Sequence, residues 1–216
     1  MADTTQTRFG LGDTVPEFAL PDTDGVAHAV PQDPAPSATV LVVTCNHCPY
    51  VMAWNKRLRQ AAEDYAGRGV RFLGINANDA SRYPADSLEA MQRFVRDQAW
   101  PYPYLHDEDQ SVARALGAEV TPHVFVLDGE HRLVYRGAPD GDHQDESRGA
   151  EWLRAGLDAA LAGTSFKELP ETGSVIGAVV RDGDVLFPHG SDTLRAGDRA
   201  IIFVESRRAS LVERVL

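Results

Sequence analysis

Cysteine is scarce in this chain: 216 residues contain two, Cys45 and Cys48. So small a number leaves no framework of stapling disulfides, and it cannot by itself close a four-ligand zinc centre. Positive charge is also in deficit, with 21 Lys and Arg against 32 Asp and Glu and a net charge of -11. That balance argues against nucleic acid or an anionic membrane surface as the main partner. No apolar run is long enough to span a bilayer. The first ten residues, MADTTQTRFG, have neither the basic leader nor the apolar core of a secretory signal. The expected compartment is therefore cytoplasmic, where a cysteine pair is kept largely reduced unless its own chemistry oxidises it.

The two cysteines stand in one informative stretch, ATVLVVTCNHCPYV, Ala38 to Val51. A β-branched apolar run through Val40, Leu41, Val42, Val43 and Thr44 reads as a buried strand. It delivers Cys45, Asn46, His47 and Cys48, and Pro49 suits the first position of a helix, where a missing N–H does no harm. Cys45 is expected at or just before the first helical turn, where unpaired N–H groups and the helix dipole favour a thiolate. Cys48, about one turn on, is placed to close a small disulfide ring and to resolve a mixed disulfide. A protonated His47 would stabilise the Cys45 thiolate and make the couple more oxidising. Asn46 reads as a turn former.

The rest of the chain alternates strands and helices. Residues 1–9 read as a flexible tail, Gly10 to Gly25 as an extended segment, and Ala29 to Ser37 as a Pro-rich loop. Helical spacing runs from Tyr50 to Tyr65, and Gly67 and Gly69 stop it. Val70 to Asn78 predicts a second buried strand, Asp86 to Trp100 an amphipathic helix, Tyr104–Leu105 a short extended piece, and Glu108 to Leu116 a short helix. Val124–Leu127 and Arg132–Arg136 predict a hairpin around Asp128-Gly129, and Ala150 to Ala162 a closing helix. The net charge is -10 through Gly163 and -1 thereafter, which marks a boundary near that glycine. A dithiol at the C-terminal end of a central strand lies where open α/β sheets place their reaction sites.

Thr44-CNHCPYV, GINANDASRYPADS, PYPYLHDEDQ, VTPHVFVLD and LVYRG, in that order, resemble the peroxiredoxin-like thioredoxin family of the redoxin and AhpC/TSA group. The likeness covers residues 10–163. It implies an α/β thioredoxin-like fold, a central mixed sheet flanked by helices, with Pro122 as a cis-proline facing the dithiol and Thr121 offering backbone groups to a thiol substrate. The pattern departs from that of true peroxiredoxins, whose reactive cysteine follows T-x-x-C: here Val42 is three residues before Cys45. Val120 also stands where members of the family can carry a further cysteine. What remains is a self-contained two-thiol cycle.

From Ala162 onward, GTSFKEL, the strand Val175 to Arg181, the Asp182-Gly183 turn, Val185 to Phe187 and TLRAGDRAIIFVE resemble the TrkA-C (RCK C-terminal) domain, without that domain's first strand. The implied division is a small module at 164–216, of α/β or mostly β character, with a further strand at Arg199–Glu205 and a helix at Arg208–Val215. A sheet edge left open by the missing strand would be covered by a second copy, giving a homodimer, or by the redox domain.

These residues point to a thiol–disulfide oxidoreductase in which Cys45 attacks and Cys48 resolves, with His47 as modifier. Thr121, Pro122, Tyr50 and Trp54 form the substrate side, although Tyr50 and Trp54 read more readily as core or pocket-wall residues than as chemical groups. The partners are a thiol or disulfide substrate, protein or small molecule, and a reductant of unknown identity. No cofactor and no resident metal is implied. The alternatives are a thiol peroxidase, a soft-metal carrier using Cys45, Cys48 and either His47 or His123, or a ligand-sensing or assembly module built on the tail. Asp140, Asp142, Asp145 and Glu146 lack the glycine and terminal glutamate of a calcium loop and read as a solvated loop. Arg181, His189 and Arg199 read as exposed charges with some capacity for a small anion.

Overall fold

The structure is a computed structural model that describes residues 9–162, together with the backbone of four later strands at 167–169, 174–181, 184–186 and 199–203. The centre is a mixed sheet of five strands, β3 (Ala38–Thr44), β4 (Val70–Asn76), β5 (Tyr104–His106), β6 (His123–Asp128) and β7 (Leu133–Gly137), in the order β5-β4-β3-β6-β7. β3 runs parallel to β4 and antiparallel to β6, and all seven of its residues are buried. A strand covered on both faces has no reason to alternate polar and apolar residues, hence the unbroken run that made it visible in the sequence.

Successive side chains of β3 point to opposite faces, and two cores result. Val40 and Val42 join Val124 and Val126 against Leu58, Ala61 and Tyr65 of helix α1 (Pro49–Tyr65) and Leu153 and Leu157 of helix α4 (Glu151–Leu161). Leu41 and Val43 join Leu73, Ile75, Phe125 and Leu127 against Val112 and Leu116 of helix α3 (Ser111–Leu116). Helix α2 (Leu88–Gln98) packs at the β5 side, where the rings of Phe94, Trp100 and Tyr104 meet in tilted contacts. Gly156 lets α4 approach the sheet: a Cβ built there would sit 2.7 Å from the Cβ of Tyr135.

Several expected bounds shift. Ala27–Val30 is a strand, β2, paired antiparallel with β1 (Phe18–Pro21), so the Pro-rich loop begins only at Pro31. α2 begins at Leu88 because Pro84–Asp86 forms a 3-10 turn and Ser87 caps the helix, accepting from the Ala90 N–H at 3.3 Å. α3 begins at Ser111. Asp107 lies before it and accepts from the N–H groups of Val112 at 3.2 Å and Ala113 at 2.8 Å. The four later strands, β8 (Lys167–Leu169), β9 (Ser174–Arg181), β10 (Asp184–Leu186) and β11 (Arg199–Phe203), form one antiparallel sheet in which β9 pairs with the other three. The expected helix at 208–215 and His189 lie outside the described residues, as do the side chains of Arg181 and Arg199. Among the described residues no helix is long and apolar enough to cross a membrane.

Candidate active site

β3 ends at Thr44, level with Asn76 at the end of β4, and the dithiol loop starts there. Cys48 is the N-cap of α1, with extended backbone, and Pro49 takes the first helical position. The Cys48 carbonyl accepts the first helical N–H, from Met52 at 3.0 Å. The helix dipole therefore acts most directly on Cys48, three residues beyond Cys45.

Both cysteines are free thiols, and both meet Thr121. The Cys48 Sγ donates to the Thr121 carbonyl at 3.4 Å, and the Cys45 Sγ lies 3.8 Å from the Thr121 hydroxyl. The Thr121–Pro122 bond is cis. Cys45 is only 2% exposed, and Cys48 is half-buried. Burial pushes the Cys45 thiol above its ordinary pKa, and the charge of Asp86 adds to the rise; the Thr121 hydroxyl and the backbone N–H groups of His47 and Cys48 pull the other way. The sequence-based expectation of a pre-activated Cys45 is thus corrected: in the reduced protein, desolvation outweighs the oriented N–H groups.

Beneath the loop is Asp86, which the sequence pattern puts at the start of a helix and the structure puts ahead of it. Asp86 is fully buried, accepts three hydrogen bonds and makes one ion-pair contact. Its Oδ1 takes the Asn46 N–H at 2.7 Å and the Asn76 Nδ2 at 3.1 Å. Its Oδ2 takes the Asn78 Nδ2 at 2.8 Å and pairs with the His47 Nδ1 at 2.7 Å. His47 is therefore a partner of Asp86, its ring stacked on Tyr83 with centroids 5.3 Å apart, and not a lone charge beside the thiol. Asn46 is more than a turn former: its side chain donates to the Ala85 carbonyl at 2.8 Å and accepts from the Tyr104 hydroxyl at 2.9 Å. The signal available in the sequence was the pair Asn76 and Asn78 at the end of a buried strand, polar residues that need a buried partner.

The remaining predicted site residues divide. Tyr50 is 51% exposed beside the dithiol, edge-on to His143 at 4.7 Å, and Val120, ahead of Thr121, is 62% exposed. Trp54 is turned to structure: its indole N–H donates to Asp140 at 2.8 Å. His123 is buried on β6, its ring tilted against Phe125, with its Nδ1 accepting from the Glu119 N–H at 3.3 Å. Among the described residues, the metal-ligating types that do converge are Cys45, His47 and Asp86. The acidic loop is not uniformly solvated, since Asp140 is buried and holds Arg57. Asp142, Asp145 and Glu146 do lie toward solvent.

This architecture and site define a class, the redoxins with a thioredoxin-like fold. The AhpC/TSA family matches residues 11–136, and the chain belongs to that family. A TrkA-C domain matches residues 151–216, a span that takes in α4 as well as the later strands. An uncharacterized conserved protein from Geobacillus kaustophilus is 39% identical, with 73% of this chain and 85% of that one covered and a TM-score of 0.68. A hypothetical protein from Sinorhizobium meliloti 1021 is 36% identical over 71% of this chain and 85% of that one, with a TM-score of 0.67. Peroxidoxin BcpB from Mycobacterium tuberculosis shares the fold at 21% identity, covering 72% and 96%, with a TM-score of 0.53. No curated protein matches the chain. Family and fold together make the protein a thiol oxidoreductase in the general sense.

Proposed function

We propose that the protein is a thiol–disulfide oxidoreductase whose Cys45 and Cys48 cycle between dithiol and disulfide. The observation that carries this reading is the convergence of both sulfurs on Thr121, at 3.4 Å and 3.8 Å. In the order the sequence suggests, the Cys45 thiolate attacks a substrate disulfide and one substrate thiolate leaves. Cys48 then attacks the Cys45 sulfur, and the second substrate thiolate leaves. The substrate gains two electrons, the enzyme is left as the Cys45–Cys48 disulfide, and a thiol reductant restores it. Thr121, Pro122 and the exposed Tyr50 are assigned to the substrate side, and Trp54 to the support of the loop through its bond to Asp140.

A second order is favoured by exposure. Cys48 is the more accessible sulfur and caps α1, so a bulky disulfide meets it first. Trapping separates the two: the stable mixed disulfide forms in the variant that lacks the resolving thiol. If Cys45 attacks, Cys48→Ser traps substrate and Cys45→Ser does not; if Cys48 attacks, the pattern reverses. Insulin-disulfide reduction at full rate in both variants would remove the proposal. Peroxidase activity is the alternative within the family's chemistry, and rapid loss of one thiol to hydrogen peroxide, ahead of any disulfide substrate, would favour it. The C-terminal module, taken as residues 164–216, is proposed as an assembly element. Light scattering of the whole chain, against a chain ending at Gly163, tests for the homodimer.

A further inference from the structure

Three side chains of different chemistry meet beneath the dithiol loop. The Cys45 Sγ, an imidazole nitrogen of His47 and a carboxylate oxygen of Asp86 all lie within 4.8 Å of one another. Cys45 and Asp86 are buried and His47 is 42% exposed, so the imidazole is the side from which solvent reaches the group. We propose that Cys45, His47 and Asp86 form a three-ligand site for a divalent cation of the zinc type, in competition with disulfide formation for the Cys45 sulfur.

The donor set selects the ion. One thiolate, one imidazole and one carboxylate are the ligand types zinc accepts, and three protein ligands leave a fourth position open for water or for Cys48. Copper(I) favours a purely soft set, and calcium or magnesium a set made of oxygen. The soft set anticipated from sequence is Cys45, Cys48 and either His47 or His123; the proposed set keeps Cys45 and His47 and adds a hard carboxylate. In a tetrahedral zinc centre, ligand atoms about 2.0–2.3 Å from the ion stand roughly 3.3–3.8 Å apart. The group therefore needs only a small contraction, while the 2.7 Å His47–Asp86 contact opens around the ion.

The outer contacts are already in place. Asn46 and Asn76 hold one carboxylate oxygen of Asp86, and Asn78 steadies the other once His47 has turned to the ion. Two anionic ligands and one neutral imidazole leave a divalent ion with no net charge, the state a buried site favours. The Cys45 thiol proton goes to solvent. The His47 Nδ1 proton moves to Nε2, or leaves if the ring was doubly protonated. No electrons move.

A sulfur bound to the ion cannot also be bound to Cys48, so only the reduced protein takes the metal. By linkage, each tenfold excess of free ion over its dissociation constant raises the reduction potential of the couple by about 30 mV. The binding site stands on geometry alone, and the competition rests on the oxidoreductase reading.

The test uses the whole chain, reduced and stripped with a chelator, titrated with Co2+ as an optical probe and with Zn2+ against a chromogenic chelator. One Co2+ per chain is expected, with a thiolate-to-cobalt band that Zn2+ removes and that the disulfide form never shows. Cys45→Ser abolishes the band. His47→Ala weakens Zn2+ binding by at least about tenfold, as does Asp86→Asn where that variant folds; His47, at the surface, keeps the result readable if it does not. Absence of the band in reduced protein, its persistence in Cys45→Ser, or Zn2+ binding indifferent to His47→Ala overturns the site. A chain that cycles with disulfides but shows no band loses this inference alone. A chain that shows the band but reduces no disulfide keeps the site and loses the oxidoreductase reading.

Discussion

Asp86 and Asp140 are two buried carboxylates with different counter-groups. Asp140 is met by Arg57, whose Nη1 lies 2.9 Å and 2.7 Å from its two oxygens, and by the Trp54 indole. The other guanidinium nitrogen donates to the carbonyls of Ala53 at 3.3 Å and His143 at 2.8 Å, so both ions are buried and satisfied. An arginine keeps its charge at every pH the protein meets, and the pair is permanent. Asp86 has three neutral N–H donors and one imidazole, a group that can lose its proton, turn, or bind an ion. The first arrangement ties α1 to the loop that leads into α4, and the second lies under a thiol. What separates anchor from site is whether the counter-group can exchange.

The largest effect belongs to the anchor. Arg57→Ala leaves the Asp140 charge buried and unpaired and is expected to cost about 3–5 kcal/mol. Thermal or urea unfolding measures this, and a loss no greater than that of a surface substitution would erase the distinction. Asp86→Asn comes next, at about 1.5–3 kcal/mol, since it weakens hydrogen bonds to a charged acceptor but retains the shape. Its sharper signature is at Cys45. The negative charge of Asp86 helps to hold the thiol protonated, so removing it lowers the pKa. With a chelator present, the midpoint of alkylation rate against pH is expected to move down from a wild-type value above the ordinary cysteine range. A midpoint that stays put or rises would show that Asp86 does not act on the sulfur.

Gly156→Ala probes the same α4 region by volume instead of charge. The new methyl meets Tyr135, whose hydroxyl donates to the Ala138 carbonyl just before Asp140. Overpacking there is expected to cost about 1–3 kcal/mol and to leave Cys45 titration unchanged. Trp54→Phe is the mildest, with loss of one hydrogen bond to Asp140 while Arg57 stays, about 0.5–1.5 kcal/mol. A larger loss would make Trp54 an equal partner in the anchor.

The elements that showed in the sequence are those written in local periodicity. β3 carries a continuous apolar run, α1 repeats apolar residues at helical spacing to Tyr65, and β6 is a second apolar run that turns back through Asp128-Gly129 into β7. β2 did not show, because a four-residue strand of alternating exposure looks like its own flanking loop. Asp86 was misplaced for a related reason. Asp followed by Ser before an apolar stretch is a sound helix start, but the helix took Ser87 as its cap and left Asp86 free to fold inward.

The sequence by itself determined the order strand, two-cysteine loop, helix, the family to which that order belongs, and the three-residue spacing of Cys45 and Cys48, since each is set by neighbours along the chain. The tertiary structure alone decided the environment of the sulfurs. Burial of Cys45, the approach of Thr121 from 76 positions away and of Asp86 from 40 positions beyond Asn46 depend on how distant segments pack. Desolvation and charge act through space, so the balance that raises the Cys45 pKa is fixed only once those segments have met.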